Sequence, residues 1–206
     1  MSFPDRKYLD IKSYADDYFK ELNNASSSVD GSKLSMAIEI LTKSYTNGGM
    51  VFSCGNGGSA AIANHLVCDH CKLVRTDTDL VSRIYSLSTT VEIITAIGND
   101  LSYDEIFEYQ LKSLAKSGDA LITISSSGDS ENIVRAANWA KQNNVSVISL
   151  TGFSGGRSAK TADVNIHVNA NNYGIIEDVH QSIMHLLAQF IRMKHMNEKL
   201  IEQRKF

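Results

Sequence analysis

The sequence predicts an α/β protein in which five mostly parallel strands form a doubly wound sheet with helices on both faces. Short apolar runs alternate with amphipathic segments along the chain, which is the pattern of strand–helix–strand units. Most of these runs are apolar throughout, as in parallel strands covered on both sides. The chain has 206 residues and no proline-rich or low-complexity segment. A single domain over residues 1–206 is therefore expected.

Two helices are predicted in an N-terminal extension, residues 1–48. Aromatic and aliphatic side chains recur every three or four residues over 5–24, which predicts an amphipathic helix. A polar stretch at 23–32 is expected to end this helix. A second helix is predicted over 32–45 and is closed by the Asn-Gly-Gly sequence at 47–49.

The predicted α/β core covers residues 49–170. Its last strand alternates polar and apolar residues, which indicates a strand at the sheet edge. Gly98 is expected to break the helix that precedes it. The predicted strands are 51–54, 83–87, 120–124, 145–150 and 164–168, and the predicted helices begin at Ser59, at Thr89 or Thr90, at Tyr103 and shortly before Ile133.

One long helix is predicted over 175–203. Its length exceeds what one small sheet can cover, so part of its apolar stripe is expected to meet another subunit. The alternative is that the whole stripe packs inside one chain. The segment 197–206 is expected to fray. The stripe consists of Ile176, Val179, Ile183, Leu186, Leu187, Phe190 and Met193.

The composition is that of an ordinary globular protein, with 43% hydrophobic and 21% charged residues. A formal net charge of −3 argues against a nucleic-acid surface. No apolar run reaches the ~18 residues of a membrane span, and the first ten residues lack the apolar core of a signal peptide. The expectation is a cytoplasmic protein without nucleic-acid or membrane partners.

The stretch from Val51 to Asp69 combines a buried strand, a glycine-rich turn and a helix that begins at Ser59. Glycine lets the backbone approach a ligand, and the first N–H groups of a helix have no internal partner, so this turn predicts an anion site. His65 and Asp69 are four residues apart and therefore share one face of the helix.

A second candidate anion site is the serine-rich segment 125–130, which follows a buried strand and leads into a helix. Hydroxyls and free N–H groups could surround a phosphate there without a lysine; an ordinary helix cap is the alternative. Ligands of parallel sheets bind where the strands end. The glycine turn, the segment around Asn99-Asp100 and the serine segment are therefore expected to form one pocket.

His65 and Asp69 offer an imidazole and a carboxylate four residues apart. Such a pair suits a divalent cation such as zinc, although it also occurs as a plain surface contact. Glu177, His180 and His185 are further ionisable groups on the last helix. Glu177 and His185 are eight residues apart, about 12 Å along a helix. Both can reach one metal only if the helix start is distorted, or they serve the pockets of different subunits.

Four motifs carry a family resemblance: CGNGGSA, ISSSGDSENI, LTGFSGG and EDVHQSIMHLL. In order and spacing they resemble the sugar isomerase (SIS) family, and within it the phosphoheptose isomerases. The resemblance implies a flavodoxin-like fold and conversion of sedoheptulose 7-phosphate to D-glycero-D-manno-heptose 7-phosphate through an enediolate, for surface glycan synthesis. It also implies a homotetramer with active sites between subunits, one zinc per site and no organic cofactor.

The resemblance also implies roles for individual residues. Asp69 stands where glutamate is usual in the family, and Glu177 where glutamine is usual. Asp69 or Glu177 would remove the proton and His185 would return protons to oxygen. The implied metal ligands are His65, Asp69, Glu177 and His185, and the implied substrate contacts are Asn56, Gly57, Gly58, Ser59, Asn99, Asp100, Ser125, Ser126, Ser127, Ser130 and Glu177.

Two other readings stay open. Some relatives in this family are non-catalytic tetramers that bind a replication-initiation protein, or sugar-phosphate sensors. An adaptor has no need of His65, Asp69 and His185 together, so their joint presence favours an enzyme. An isomerase of a different phosphosugar is the second alternative.

Overall fold

A five-stranded sheet in the order β2-β1-β3-β4-β5 forms the centre of the computed structural model, which describes residues 3–206. All four strand pairings are parallel, so the predicted fold class is confirmed and the sheet is parallel throughout. The strand predicted at the edge does lie there. The strands are β1 (Met50–Gly55), β2 (Arg83–Ser86), β3 (Ala120–Ser125), β4 (Ser146–Thr151) and β5 (Val164–His167).

Helices cover both faces of the sheet. Alternate strand residues point to opposite sides, so Val51 and Ile122 pack with α1, α2, α3 and α8, whereas Phe52 and Leu121 pack with α4, α5 and α6. The helices are α1 (Ile11–Ser27), α2 (Gly31–Thr46), α3 (Gly58–Cys68), α4 (Val91–Asp100), α5 (Glu108–Leu114), α6 (Glu131–Gln142), α7 (Gly156–Thr161) and α8 (Tyr173–His195), with a π-helical turn at Asp69–Val74 and 3-10 turns at Tyr103–Glu105 and Glu198–Gln203.

The N-terminal helices are shifted from their predicted positions. Helix α1 begins only after Asp10, whose carboxylate accepts the Ser13 N–H at 2.9 Å. It then continues through the polar stretch that was expected to end it, because Ala25 is buried in the core and fixes the last turn. The break between the helices is therefore confined to 28–30.

Helix α4 also differs from the prediction. It runs through Gly98 to Asp100, so the expected break is wrong. A glycine inside a helix costs roughly 1 kcal/mol, and the burial of Ile97 against the sheet outweighs this cost. Asn99 and Asp100 consequently lie in the last turn of a helix and not in a loop directly after a strand.

The C-terminal helix ends earlier than predicted, at His195. The following segment does not fray as expected, because the buried Arg192 donates to the Lys205 carbonyl at 3.0 Å and pairs with Asp77 at 2.9 Å. The guanidinium also lies 4.8 Å from the centre of the Phe206 ring. The tail is thus fixed to the chain segment that follows the π-helical turn.

The apolar stripe of α8 divides into two parts. Ile176, Val179, Ile183 and Leu187 are buried in the chain's own core, as in the intramolecular alternative. Leu186, Phe190 and Met193 are 46%, 44% and 38% exposed and line a groove that Phe206 completes. No helix within residues 3–206 has the length and apolar character needed to cross a membrane.

Candidate active site

The glycine turn after β1 receives a carboxylate from α8. Gly57, the residue before α3, has φ +55°, a conformation that favours glycine. At Gly58 a Cβ would lie only 2.3 Å from Oε2 of Glu177, so the carboxylate rests directly against the start of α3. Glu177 is half-buried, and burial, followed by the charge of Asp178, raises the pKa of its carboxyl group.

Asn56 links this turn to the start of α6. Its amide nitrogen donates to Oδ1 of Asn132 at 2.9 Å, and the Asn132 amide donates back at 3.0 Å. The Tyr103 hydroxyl donates to the same Asn56 oxygen at 3.0 Å. Asn132 is buried and lies two residues beyond Ser130. The glycine turn and the serine segment are therefore neighbours, as predicted from their positions after parallel strands.

The serine segment forms a tight turn at the end of β3. Ser125 Oγ accepts the Gly128 N–H at 3.1 Å, and Gly128 has φ +64° with no room for a Cβ beside the Gly155 carbonyl. The Ser126 hydroxyl is buried without a hydrogen-bond partner. Ser130 occupies the N-cap position of α6, yet its side chain makes no capping bond. The Ser130 hydroxyl is thus free to bind a ligand at the N-terminus of α6, and the buried Ser126 hydroxyl leaves its hydrogen-bonding capacity unused beside it.

The nearby arginine does not neutralise this turn. Arg157 pairs with Asp129 at 2.7 Å and with Glu131 at 2.7 Å, and these contacts lower the pKa of both carboxyl groups. The charge of the guanidinium is balanced by its two partners, so the turn relies on hydroxyl and N–H donors.

His65, Asp69 and His185 come together where α3 ends beside α8. One possible ligand atom from each lies within 4.8 Å of the others. Asp69 Oδ2 is 2.6 Å from His185 Nδ1, and Asp69 Oδ1 is 3.5 Å from His65 Nε2. Glu177 is not a member of this group; it lies at the other end of α3, against Gly58.

The Asp69 carboxylate is held by an unusual piece of helix. The chain changes from α- to π-helix at Asp69, a geometry often found at functional sites. The next residue, His70, is fully buried, and its Nδ1 is 2.7 Å from the Tyr45 hydroxyl of α2. This contact fixes the backbone next to Asp69.

Other predicted residues lie outside these clusters. Asn99 and Asp100 are exposed and bond to each other at 2.7 Å. His180, interpreted from sequence as a possible surface histidine, is fully buried, and burial lowers its pKa to about 4.

Sequence reasoning missed Asn132, Tyr103 and Gln181. The Gln181 amide nitrogen lies 3.1 Å from His65 Nδ1 and 3.0 Å from His185 Nε2. A signal for Gln181 was present, because it precedes His185 by one helical turn and so shares its face. Asn132 and Tyr103 reach Asn56 from distant parts of the chain, which no local pattern reveals.

The fold and the two strand-end turns define a SIS domain: a family model with this description matches residues 16–152. The chain is 39% identical to the phosphoheptose isomerase of Nitratidesulfovibrio vulgaris over 80% of this chain and 76% of that protein. It therefore belongs to the phosphoheptose isomerase branch of the SIS domain family.

Solved structures agree with this assignment. The phosphoheptose isomerase from Francisella tularensis matches with a TM-score of 0.82 and 30% identity, over 90% of this chain and 100% of that one. The phosphoheptose isomerase from Neisseria gonorrhoeae matches with a TM-score of 0.81 and 30% identity, over 88% of this chain and 98% of that one.

Proposed function

We propose that this protein is an aldose–ketose isomerase that converts sedoheptulose 7-phosphate to D-glycero-D-manno-heptose 7-phosphate, a precursor of heptose-containing surface glycans. The observation that carries the proposal is the meeting of His65, Asp69 and His185 at α3 and α8, in a chain 39% identical to a phosphoheptose isomerase. The similarity to named isomerases also favours an enzyme over an adaptor or a sensor.

The phosphate is proposed to bind the serine turn at the N-terminus of α6. Ser126 and Ser130 have hydroxyls without internal hydrogen bonds, and Ser125 and Ser127 complete the turn. A phosphate needs several donors, and helix N–H groups supply them together with the favourable end of the helix dipole. A neutral cradle also releases a metabolite more readily than one built from lysines.

The sugar is proposed to lie over the glycine turn. Asn56 connects this turn to α6, and Gly57, Gly58 and Ser59 present backbone N–H groups at the start of α3. Contacts from Asn99 and Asp100 stay predictions.

His65, Asp69 and His185, called here the metal-ligand group, fit a zinc ion, because two imidazoles and one carboxylate are typical zinc ligands and their ligand atoms converge. These three residues would hold one zinc ion per site, and Glu177 as a further ligand stays a prediction. A bound zinc ion would act as a Lewis acid that polarises substrate oxygens. No organic cofactor is required by the reaction.

Glu177 is the proposed base. Its carboxylate lies at the sugar turn, away from the metal-ligand group, and its raised pKa makes it a stronger base than an ordinary glutamate. Glu177 would take a proton from C1 of the ketose to form the enediolate, exchange it with solvent and deliver a proton to C2. Asp69, placed between two imidazoles, is then left as a ligand. This assignment divides the two roles between the two carboxylates.

His185 is proposed to move the other proton, from the C1 hydroxyl to the C2 oxygen. Glu177 and His185 are eight residues apart on the continuous helix α8, about 12 Å along its axis, so the histidine of a given site would come from a neighbouring subunit. His185 can move this proton only through a ring nitrogen that is not bound to metal. His185→Ala separates its two roles: loss of zinc identifies a ligand, whereas retained zinc with lost turnover identifies a proton carrier.

A homotetramer with active sites between subunits is proposed for the assembly, in the cytoplasm. His185 is 38% exposed and lines the groove formed by Leu186, Phe190 and Met193. A second copy seated on this groove would bury apolar surface and cover His185 at once.

The test is a turnover assay with sedoheptulose 7-phosphate and a panel of other ketose phosphates, together with zinc analysis and light scattering. Formation of the heptose 7-phosphate by a zinc-containing tetramer supports the proposal. Turnover of another sugar alone would replace the substrate, and neither zinc nor turnover on a folded protein would refute the enzyme.

A further inference from the structure

Gln181 occupies a central place between the two histidines of the metal-ligand group. Its single amide nitrogen lies within hydrogen-bond distance of one nitrogen of each ring, His65 Nδ1 and His185 Nε2. An amide nitrogen carries two hydrogens, so it can donate to both rings. The rings stand almost perpendicular, with centres 4.9 Å apart.

The remaining ring nitrogens face Asp69. Gln181 is therefore placed to donate to both imidazoles, and His185 Nδ1 is placed to donate to Asp69 at 2.6 Å, while His65 Nε2 lies 3.5 Å from the same carboxylate. A neutral imidazole has one hydrogen, and this pattern places it on Nε2 of His65 and on Nδ1 of His185. Both ring nitrogens of His185 then have a hydrogen-bond partner, and the contacts of Gln181 favour one tautomer for each ring.

We propose that Gln181 is a positioning residue that sets the tautomer and orientation of His65 and His185, and thereby prepares them for a divalent cation. The cation part of this inference rests on the proposed function, whereas the tautomer part does not. Gln181 and His185 are one turn apart on α8, so the helix itself fixes their spacing.

The Gln181 carboxamide suits both the metal-free and the metal-bound state of this site. When the nitrogens that face Asp69 bind a cation, each ring must carry its hydrogen on the nitrogen that faces Gln181. Rotation of the amide by 180° then presents an oxygen with two lone pairs, which accepts from both rings. Such partners of metal-binding histidines fix the ring and tune its affinity. A glutamate in place of Gln181 could accept from both rings in the metal-bound state, but it could not donate to them in the metal-free state. A methionine could do neither.

The experiment compares wild type with Gln181→Met, Gln181→Glu and the control Gln142→Met, which alters an exposed glutamine of α6. Long-range ¹H–¹⁵N spectra of metal-free, ¹⁵N-histidine-labelled protein report the tautomers. Competition with a zinc chelator gives the affinity for Zn²⁺, and circular dichroism checks the fold.

Single tautomers of His65 and His185 are expected in wild type and in the control. In Gln181→Met the tautomers should become mixed and zinc affinity should fall about 10–100-fold. Gln181→Glu should keep zinc affinity while changing the metal-free spectrum. Wild-type tautomers together with zinc affinity within twofold in folded Gln181→Met would overturn the inference. If wild type binds no zinc but Gln181→Met still shows mixed tautomers, the result would support the positioning role and refute the proposed metal site.

Discussion

Gly58→Ala probes the proposed base without changing its chemistry. The added methyl carbon would lie 2.3 Å from Oε2 and 2.9 Å from Cδ of Glu177. Unbonded heavy atoms settle at about 3.5 Å, so the carboxylate must move by roughly 1 Å. Because the carboxylate lies at the end of the flexible Glu177 side chain, it can move aside. The loss in free energy of unfolding should therefore be near 1 kcal/mol, the low end of the cost of overpacking.

Turnover should suffer far more than stability. A displacement of about 1 Å in a catalytic group can lower the rate on the order of 10²-fold, about 3 kcal/mol in activation free energy. The assay is kcat/KM for the isomerisation together with urea denaturation. Gly31→Ala is the matched control, because Gly31 is also the first residue of a helix but has open space around it. A Gly58→Ala variant with wild-type kcat would refute the role of Glu177 as base at this position.

Three further predictions concern the cradle and the buried polar groups. Ser126→Ala should raise KM at least about 10-fold with kcat nearly unchanged, because a hydrogen bond to a charged phosphate is lost; an unchanged KM would exclude Ser126 from the cradle. His180 has a folded pKa of about 4, below the unfolded value of about 6.5, so its contribution to stability is complete above pH 6.5 and is lost as the pH falls towards 4. Urea denaturation of His180→Leu at pH 7 and pH 5 should therefore show a weaker pH dependence than wild type, and an equal dependence would contradict the assignment. Tyr45→Phe should lower the free energy of unfolding by about 1–3 kcal/mol, because buried His70 loses its partner; thermal denaturation without a change in midpoint would contradict this.

The parts of the fold and site that sequence predicts are those encoded locally. The strands are continuous apolar runs, and the serine turn follows directly from its place after β3. Parallel strands bring their ends to one edge, so the neighbourhood of the glycine and serine turns could be inferred without coordinates. His65 and Asp69 were paired by helical spacing alone.

The remainder depends on packing between distant segments. Gly98 was expected to end α4, yet the burial of Ile97 carries the helix onward and moves Asn99 away from the predicted loop. The tail was expected to fray because its charges look solvated, but Arg192 and Asp77 hold it. The π-helical turn that positions Asp69 depends on contacts from α2, which no spacing rule contains.

The two carboxylates could not be assigned separate roles from sequence. Glu177 and Asp69 both belong to faces that carry other ionisable groups, and either could act as base. The structure places one against Gly58 and the other between two histidines. A difference in environment of this kind is what separates a base from a ligand.

The central claim is that the protein moves a carbon-bound proton through an enediolate. The most direct measurement is ¹H NMR of sedoheptulose 7-phosphate incubated with the protein in D₂O. Deuterium is expected at C2 of the aldose product and at C1 of the recovered ketose, and Glu177→Gln should abolish both. Conversion without deuterium at either carbon would contradict transfer through a base that exchanges its proton with solvent, and a folded, zinc-loaded protein that leaves the ketose unchanged would contradict the proposed function.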